Sequence, residues 1–212
     1  MQLQPGYDVL AETYHEVLPL PYQTPLEEHA VAAFADTVLR RDAAGVVVDV
    51  GCGTGGVAAD LTARGLAVVG VDPSSAMLVI AAREHPGLTL LRGDARLAAL
   101  PPEQPVAAVI ARFSLIHVPP EELAEVFAVW RSRLPAGGPV LVAFQCEDDP
   151  SRPYEEFDHK VARAWRPHPD AMADRLTAAG FAEVWRTISR PDAMHRFPEC
   201  HLLLCRTEDV PG

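Results

Sequence analysis

The stretch Val46-Val47-Val48-Asp49-Val50-Gly51-Cys52-Gly53-Thr54-Gly55-Gly56 decides the fold of this chain. Its first five residues are β-branched except for one aspartate, which is typical of a short strand buried in a parallel sheet. Glycines end that strand, and residues 55–64 then have the pattern of a helix. Ligands in open α/β sheets bind at the carboxyl ends of the strands. The stretch therefore predicts a ligand site in the loop between this strand and this helix.

Outward from this loop, apolar runs and helical patterns alternate along the chain. Further strands are predicted at 67–71, 88–91, 106–111 and 140–146, and helices at 74–84, 120–134 and 169–179. Two last apolar runs, 182–188 and 200–205, have no helix between them, so they must pair antiparallel. The pattern predicts five βα units and a terminal hairpin. The fold is then α/β and Rossmann-like: a doubly wound, mostly parallel seven-stranded sheet with a C-terminal antiparallel hairpin.

Two flanking segments complete the expected organisation, in which residues 1–212 form a single domain. Residues 1–42 are predicted to be a helical cap, since Thr24, Pro25 and Glu27 have the spacing of a capping box at a helix start. Residues 147–169 are rich in acidic residues, proline and aromatics. They are predicted to form an irregular excursion over the top of the sheet and to serve as a substrate lid.

Composition excludes several classes of function. The 212 residues carry 18 basic and 29 acidic side chains, a net charge of −11. Such a chain is poorly suited to grip phosphate backbones or anionic lipid, so we expect no nucleic acid and no membrane partner. The N-terminus lacks the pattern of a secretory signal, which favours a cytoplasmic location. The protein is expected to be a monomer or a homodimer. The four cysteines form no Cys-x-x-Cys pair, and no metal site is expected.

The glycine loop itself is compatible with two kinds of ligand. Gly51, Gly53 and Gly56 satisfy the dinucleotide pattern Gly-x-Gly-x-x-Gly, with Asp72 about 20 residues further on. However, Asp49 lies two residues before the first glycine, where its charge would repel a pyrophosphate, while Asp72 ends the second strand and Asp94 follows the third. Three carboxylates suit a ligand with an ammonium group, a ribose diol and an adenine amine. S-adenosylmethionine (SAM) has all three and no phosphate.

Several motifs together resemble those of one enzyme family. Residues 48–55, 70–77 and 93–95 look like the first three motifs of the class I SAM-dependent methyltransferases, and residues 113–117 and 134–138 continue the likeness. It covers about residues 7 to 206 and is closest to the small-molecule members. The resemblance implies SAM as the cofactor and S-adenosylhomocysteine (SAH) as the product.

The resemblance also implies roles for the matching residues. Gly51 and Gly53 would let the backbone approach the methionine part of SAM, and Asp49 would receive its ammonium. Asp72 would accept the ribose hydroxyls, and Asp94 would accept the adenine amine. The full set of implied cofactor residues is Tyr14, Asp49, Gly51, Cys52, Gly53, Asp72, Pro73, Met77, Asp94, Ala95 and Arg112.

The methyl acceptor is less defined. The Asp/Asn-Pro-Pro-Tyr motif of amine-directed nucleic-acid enzymes is absent, and Ala111-Arg112-Phe113-Ser114 stands in its place. We expect the methyl group to move by in-line displacement to an O or N atom of a small molecule, and secondary metabolites belong to this class. The catalytic candidates are His117, Tyr14 and His159. Two alternatives stay open: an NAD-dependent oxidoreductase, and a SAM-binding module without turnover, which Ala107 favours because the family often has Asp there.

Overall fold

The computed structural model describes residues 6–41, 43–193 and 195–208, so residues 1–5 and 42 of the predicted cap lie outside the described residues. The strands are β1 Val46–Val50, β2 Val68–Asp72, β3 Thr89–Arg92, β4 Val106–Arg112, β5 Pro139–Gln145, β6 Tyr154–Phe157, β7 Ala164–Pro167, β8 Phe181–Ile188 and β9 Glu199–Arg206. The helices are α1 Tyr7–Val17, α2 Pro25–Arg41, α3 Gly56–Ala63, α4 Ser75–Glu84, α5 Leu123–Arg133 and α6 Pro169–Ala178.

Seven strands form one sheet in the order β3-β2-β1-β4-β5-β9-β8. The first five are parallel, while β9 runs antiparallel between β5 and β8. This topology confirms the predicted mostly parallel sheet with a C-terminal antiparallel hairpin. The carboxyl ends of β1, β2, β3, β4 and β5 therefore meet at one edge, together with the beginning of β9.

Helices cover both faces of the sheet. On one face, α2 and α3 bury Phe34 and Leu61 against strand residues such as Val47 and Leu141. On the other face, α5 and α6 bury side chains that include Phe127 and Trp130. Every helix within the described ranges is too short or too polar to cross a membrane.

Two expectations about the local structure are wrong. No helix lies between β3 and β4 in the described chain: residues 93–105 are turns and coil, so the fold has fewer βα units than the five predicted. The segment 147–169 is not irregular throughout, because β6 and β7 pair as a separate antiparallel hairpin. Pro167 ends β7, and prolines are tolerated at the ends and edges of a two-stranded ribbon. We refer to residues 154–167 as the lid hairpin.

Candidate functional site

The glycine loop after β1 is built from residues with a left-handed backbone. Gly51 has φ +71°, and a Cβ added to it would lie 2.2 Å from the Cβ of Ser114. The Ser114 hydroxyl donates to the carbonyl of Val50 at 2.6 Å, which holds the serine in that place. Gly53 has φ +53°, but apart from its chain neighbours none of the described residues has an atom within 4 Å of its Cβ position. Gly51 is thus required by the protein's own packing, whereas Gly53 leaves open space beside the loop.

Asp72, at the end of β2, holds the loop in place. Its two carboxylate oxygens accept hydrogen bonds from the backbone N–H of Gly53 at 2.9 Å and of Ser74 at 2.8 Å. Burial nevertheless raises the pKa of Asp72 above its usual value. Each oxygen keeps a lone pair, because a carboxylate accepts more than one hydrogen bond per oxygen. The site can therefore take up two further donors, as a ribose diol would supply.

Asp49, near the end of β1, is the most buried of the three predicted carboxylates. Its residue is 3% exposed, and its Oδ2 has no hydrogen-bond partner. Burial, with the charge of Asp72 adding to it, raises the pKa of Asp49 to about 7, against the opposing effect of Arg112. An unpaired buried carboxylate is costly unless a cation or donor meets it. The ammonium of SAM fits this requirement, so the residues present fit the cofactor that the sequence predicts.

The predicted adenine side lies beside Asp72, because the backbone N–H of Gly93 donates to the Asp72 carbonyl at 3.1 Å. Asp94 follows with its side chain 56% exposed, and its Oδ1 accepts from the backbone N–H of Arg96 at 2.9 Å. The buried Trp130 indole donates to the carbonyl of Ala95 at 2.8 Å and so fixes this loop on α5. The loop that carries Asp94 is therefore fixed, while the exposed carboxylate of Asp94 remains accessible to a ligand.

The remaining predicted cofactor residues surround the same loop. Met77 is 2% exposed and packs with Ala11 and Ile80 in a small cluster under α1, so it has a structural role whether or not adenine also touches it. Cys52 is buried, and Pro73 is exposed directly after Asp72. Tyr14 lies on α1 with its ring centroid 5.9 Å from that of Tyr7.

Several contacts fasten helix α1, and the Gly6 residue before it, across this edge of the sheet. The Asp8 carboxylate accepts from the Ser74 hydroxyl at 2.7 Å and from the backbone N–H of Ala76 at 3.1 Å, at the start of α4. The Tyr7 hydroxyl bonds to Nε2 of His117 at 2.9 Å. The backbone N–H of Gly6 donates to the carbonyl of Val161 on the lid hairpin at 2.9 Å. The predicted cap therefore joins α4, the fourth-strand loop and the lid hairpin.

His117 has both ring nitrogens in use. Its Nδ1 lies 2.9 Å from the carbonyl of Arg163, so this nitrogen carries the proton and Nε2 accepts from Tyr7. Burial lowers the pKa of His117, which favours this neutral form. His159, with its ring centroid 4.9 Å from that of His117, accepts backbone N–H groups of Val161 and Ala162 on Nδ1. The two predicted histidines do come together, and His117 acts here as a clamp between segments.

Arg112, at the end of β4, is paired inside the protein. Its guanidinium forms an ion pair with Glu27 in which the side chains are 7% and 5% exposed. The same group donates to the carbonyl of Pro21 at 3.0 Å. Glu27 also bonds the backbone N–H of Gln23 and the hydroxyl of Thr24, while its own N–H donates to Thr24, which confirms the capping box. Arg112 therefore anchors α2 rather than presenting a free charge to a ligand.

Further polar groups lie next to this pair, at the ends of β5 and β9. Strand register places Gln145 opposite Glu199 and Ala143 opposite His201, on the sheet face that carries Arg112. His201 is 1% exposed with no hydrogen bond at either ring nitrogen, and burial, with help from Arg112, lowers its pKa to about 3. The sequence interpretation missed this polar group.

One local signal could have revealed it. Glu199 and His201 alternate with apolar residues in a run that is otherwise hydrophobic, which places both side chains on one face of a buried strand. What the alternation cannot give is the partner strand, since register depends on contacts distant in sequence.

Part of the chain is similar in sequence to known methyltransferases. Residues 47–138 match the family model described as a methyltransferase domain. Curated relatives include an uncharacterized methyltransferase of Oceanobacillus iheyensis, 30% identical over 96 residues, which are 45% of this chain and 44% of that protein. Another, from Geobacillus kaustophilus, is 32% identical over 120 residues, or 56% of this chain and 54% of that protein. The chain thus spans about half the length of the curated relatives it matches.

Solved structures share the fold over almost the whole chain. The CcbJ methyltransferase from Streptomyces caelestis has a TM-score of 0.69 at 22% identity, covering 94% of this chain and 96% of that one. Magnesium protoporphyrin IX methyltransferase from Synechocystis, solved with bound SAH, has a TM-score of 0.68 at 16% identity, covering 95% and 96%.

A third neighbour is the 1,6-didemethyltoxoflavin-N1-methyltransferase of Burkholderia thailandensis, solved with its substrate and SAH. Its TM-score is 0.64 at 19% identity, covering 89% of this chain and 92% of that one. At these identities the likeness to the solved structures concerns the fold alone. The match to the methyltransferase-domain model covers residues 47–138, which contain the glycine loop and the three carboxylates Asp49, Asp72 and Asp94, so this part of the chain resembles a methyltransferase domain.

Proposed function

We propose that this chain binds SAM at the glycine loop and transfers its methyl group to an O or N atom of a small molecule. The observation that carries the proposal is the buried Oδ2 of Asp49, which has no hydrogen-bond partner, beside a loop whose Gly53 leaves open space. An anionic pyrophosphate on this loop would be repelled by Asp49, whereas the ammonium of SAM would be bound by Asp49 and its ribose by Asp72. SAM, when bound, supplies an electrophilic methyl group.

The chain's own residues would hold the cofactor and exclude water. Asp49 would hold the ammonium, Asp72 the ribose hydroxyls and Asp94 the adenine amine. Helix α1 and the lid hairpin would cover the site, which aligns the acceptor and keeps water out. The small-molecule acceptor is supported by the Burkholderia neighbour, which was solved with the small molecule 1,6-didemethyltoxoflavin bound, and by the net charge of −11, which disfavours nucleic acid.

Calorimetry of the purified chain tests the cofactor. We expect SAM and SAH to bind in EDTA-containing buffer and NADH to give no heat, because the proposed contacts use carboxylates and no metal. NADH binding with SAM silent would contradict the proposal, as would SAM binding or turnover that EDTA abolishes and Mg²⁺ restores. A mass-spectrometric screen of small O- and N-nucleophiles for the gain of one methyl group then identifies the acceptor.

The Tyr7–His117 bond provides a test of the cap. Tyr7→Phe removes the hydroxyl that bonds Nε2 of His117, and one such bond contributes about 0.5–1.5 kcal/mol. If α1 closes over bound cofactor, SAH should then bind about 2- to 10-fold more weakly, chiefly through faster dissociation measured by stopped flow. The control Tyr154→Phe loses a hydroxyl bond to the Ala171 carbonyl at α6 instead, and should leave SAH affinity unchanged. Equal affinities for Tyr7→Phe and wild type would show that the clamp does not retain the cofactor.

A further inference from the structure

A cavity of about 150 Å³ lies where β5 ends, β9 begins and the lid hairpin folds over them. It is lined by Gln145, Phe157, His195, Arg196, Phe197 and Glu199. The rings of Phe157 and Phe197 meet edge to face, with their centroids 5.4 Å apart. A cavity of this volume accommodates a group about the size of benzene. Phe157 of the lid hairpin lines this cavity, whereas the Tyr154 hydroxyl donates to the Ala171 carbonyl in the first turn of α6.

Glu199 is the unusual member of the lining. The residue is 7% exposed, and its backbone is fixed by two hydrogen bonds to Ser189. Its carboxylate has no hydrogen bond or ion pair with any of the residues that the structure describes. Burial, with the charge of Glu27 adding to it, raises the pKa of Glu199 to about 6, so the group is still ionised at pH 7.5. A largely buried carboxylate that no protein group meets is costly, and a ligand in the cavity can supply the partner.

The cations near the cavity pair with carboxylates other than Glu199. Arg112 pairs with Glu27, Arg196 donates to Asp158 at 2.6 Å, and Nδ1 of His195 lies 2.9 Å from Asp192. Arg166, whose guanidinium lies over the Phe197 ring, pairs with Glu147 at 2.7 Å. The Oε1 of Gln145, which faces Glu199 across the β5–β9 pair, is buried and also lacks a donor. The cavity therefore offers unfilled acceptor oxygens on two residues, Glu199 and Gln145, between aromatic walls.

We infer that this cavity binds a protonated amine of the methyl acceptor, with the Glu199 carboxylate as its ion-pair partner and Gln145 as a second hydrogen-bond acceptor. The inference rests on the proposed function and names the acceptor class. Phe157 and Phe197 would pack against the carbon atoms of the acceptor, because the guanidinium carbons of Arg166 and Arg196 already lie 4.0 and 4.6 Å from the Phe197 ring centroid. Because an ammonium has no lone pair, this group orients the acceptor, and the methyl goes to another atom of the same molecule.

A metal ion is the competing occupant. Carboxylate oxygens of Glu27 and Glu199 and a ring nitrogen of His195 lie within 4.8 Å of one another. However, both oxygens of Glu27 are already hydrogen-bonded, one of them by the buried Arg112 guanidinium, whose charge would repel a divalent ion. The geometry therefore favours an organic cation.

The test uses benzylamine, with benzyl alcohol and benzoate as matched probes, titrated into the full chain in the presence of SAH and followed by NMR. Benzylamine should bind with a Kd of about 1 mM, at least about tenfold more tightly than either probe. Glu199→Gln should abolish that preference. The control Glu103→Gln, an exposed carboxylate before β4, should keep it.

Thermal unfolding distinguishes a binding role from a structural one. Because the raised pKa means that ionised Glu199 costs folding free energy, Glu199→Gln should unfold at the same temperature as wild type or higher. Equal affinity for benzylamine and benzyl alcohol, or an unaltered preference in Glu199→Gln, would overturn the inference. Binding of Zn²⁺ or Mg²⁺ to EDTA-treated protein that Glu199→Gln abolishes, without benzylamine binding, would also overturn it. If the wild-type protein does not bind SAH, that result would instead count against the proposed function.

Discussion

An Asp72→Ala variant is expected to bind SAH at least about tenfold more weakly than wild type. The Asp72 carboxylate accepts hydrogen bonds from the backbone N–H groups of Gly53 and Ser74, and it is also the proposed acceptor for the ribose hydroxyls. Each charge-assisted hydrogen bond to a ribose hydroxyl contributes about 1.5–3 kcal/mol, and about 1.4 kcal/mol corresponds to a factor of ten. Calorimetric titration with SAH measures the loss directly.

The control for this variant is Asp36→Ala, which removes an aspartate whose side chain is 61% exposed on α2. It should bind SAH like wild type. Asp72→Ala also leaves the two backbone N–H groups without their acceptor, so its unfolding temperature must be measured alongside. Wild-type affinity in a folded Asp72→Ala protein would show that the ribose of SAM is held elsewhere.

The cofactor side of the site was predictable because its signals are local. Gly51, Gly53 and Asp72 follow strands that are themselves obvious from β-branched runs, and parallel topology brings strand ends to one edge without knowledge of the register. The structure adds what a pattern cannot show, namely that Gly51 is required by Ser114, which follows β4, three strands further along the chain.

The polar group at the ends of β5 and β9, which is the proposed acceptor side, was largely invisible in the sequence. Glu27 is recognisable as part of a capping box, but its pairing with Arg112 joins residues 85 positions apart. Glu199 meets Gln145 only through an antiparallel register between β9 and β5. The proline content of 147–169 predicted irregularity, whereas cross-strand pairing made a hairpin of part of it. In each case the deciding contact is long-range, and local propensity carries no information about it.

The two glycines of the loop should respond to alanine in different ways. Gly51→Ala places a methyl group 2.2 Å from the Ser114 Cβ and forces alanine to φ +71°. Left-handed strain and overpacking together cost about 2–5 kcal/mol, so the unfolding temperature should fall by roughly 5–15 °C. Gly53→Ala has similar backbone strain but no clash, so it should lose only about 1–2 kcal/mol.

Cofactor binding should separate Gly53 from other open glycines. The control Gly65→Ala also has a positive φ, +93°, and no atom within 4 Å of its added Cβ, but it lies after α3 and away from the loop. Gly53→Ala and Gly65→Ala should therefore unfold at similar temperatures, while only Gly53→Ala loses SAH affinity, by at least about tenfold. That difference follows because the space beside Gly53 is unfilled by protein and is, on the proposed function, where the methionine part of SAM lies. Undiminished SAH affinity in Gly53→Ala would place the cofactor away from this loop, even if Gly51→Ala were unstable.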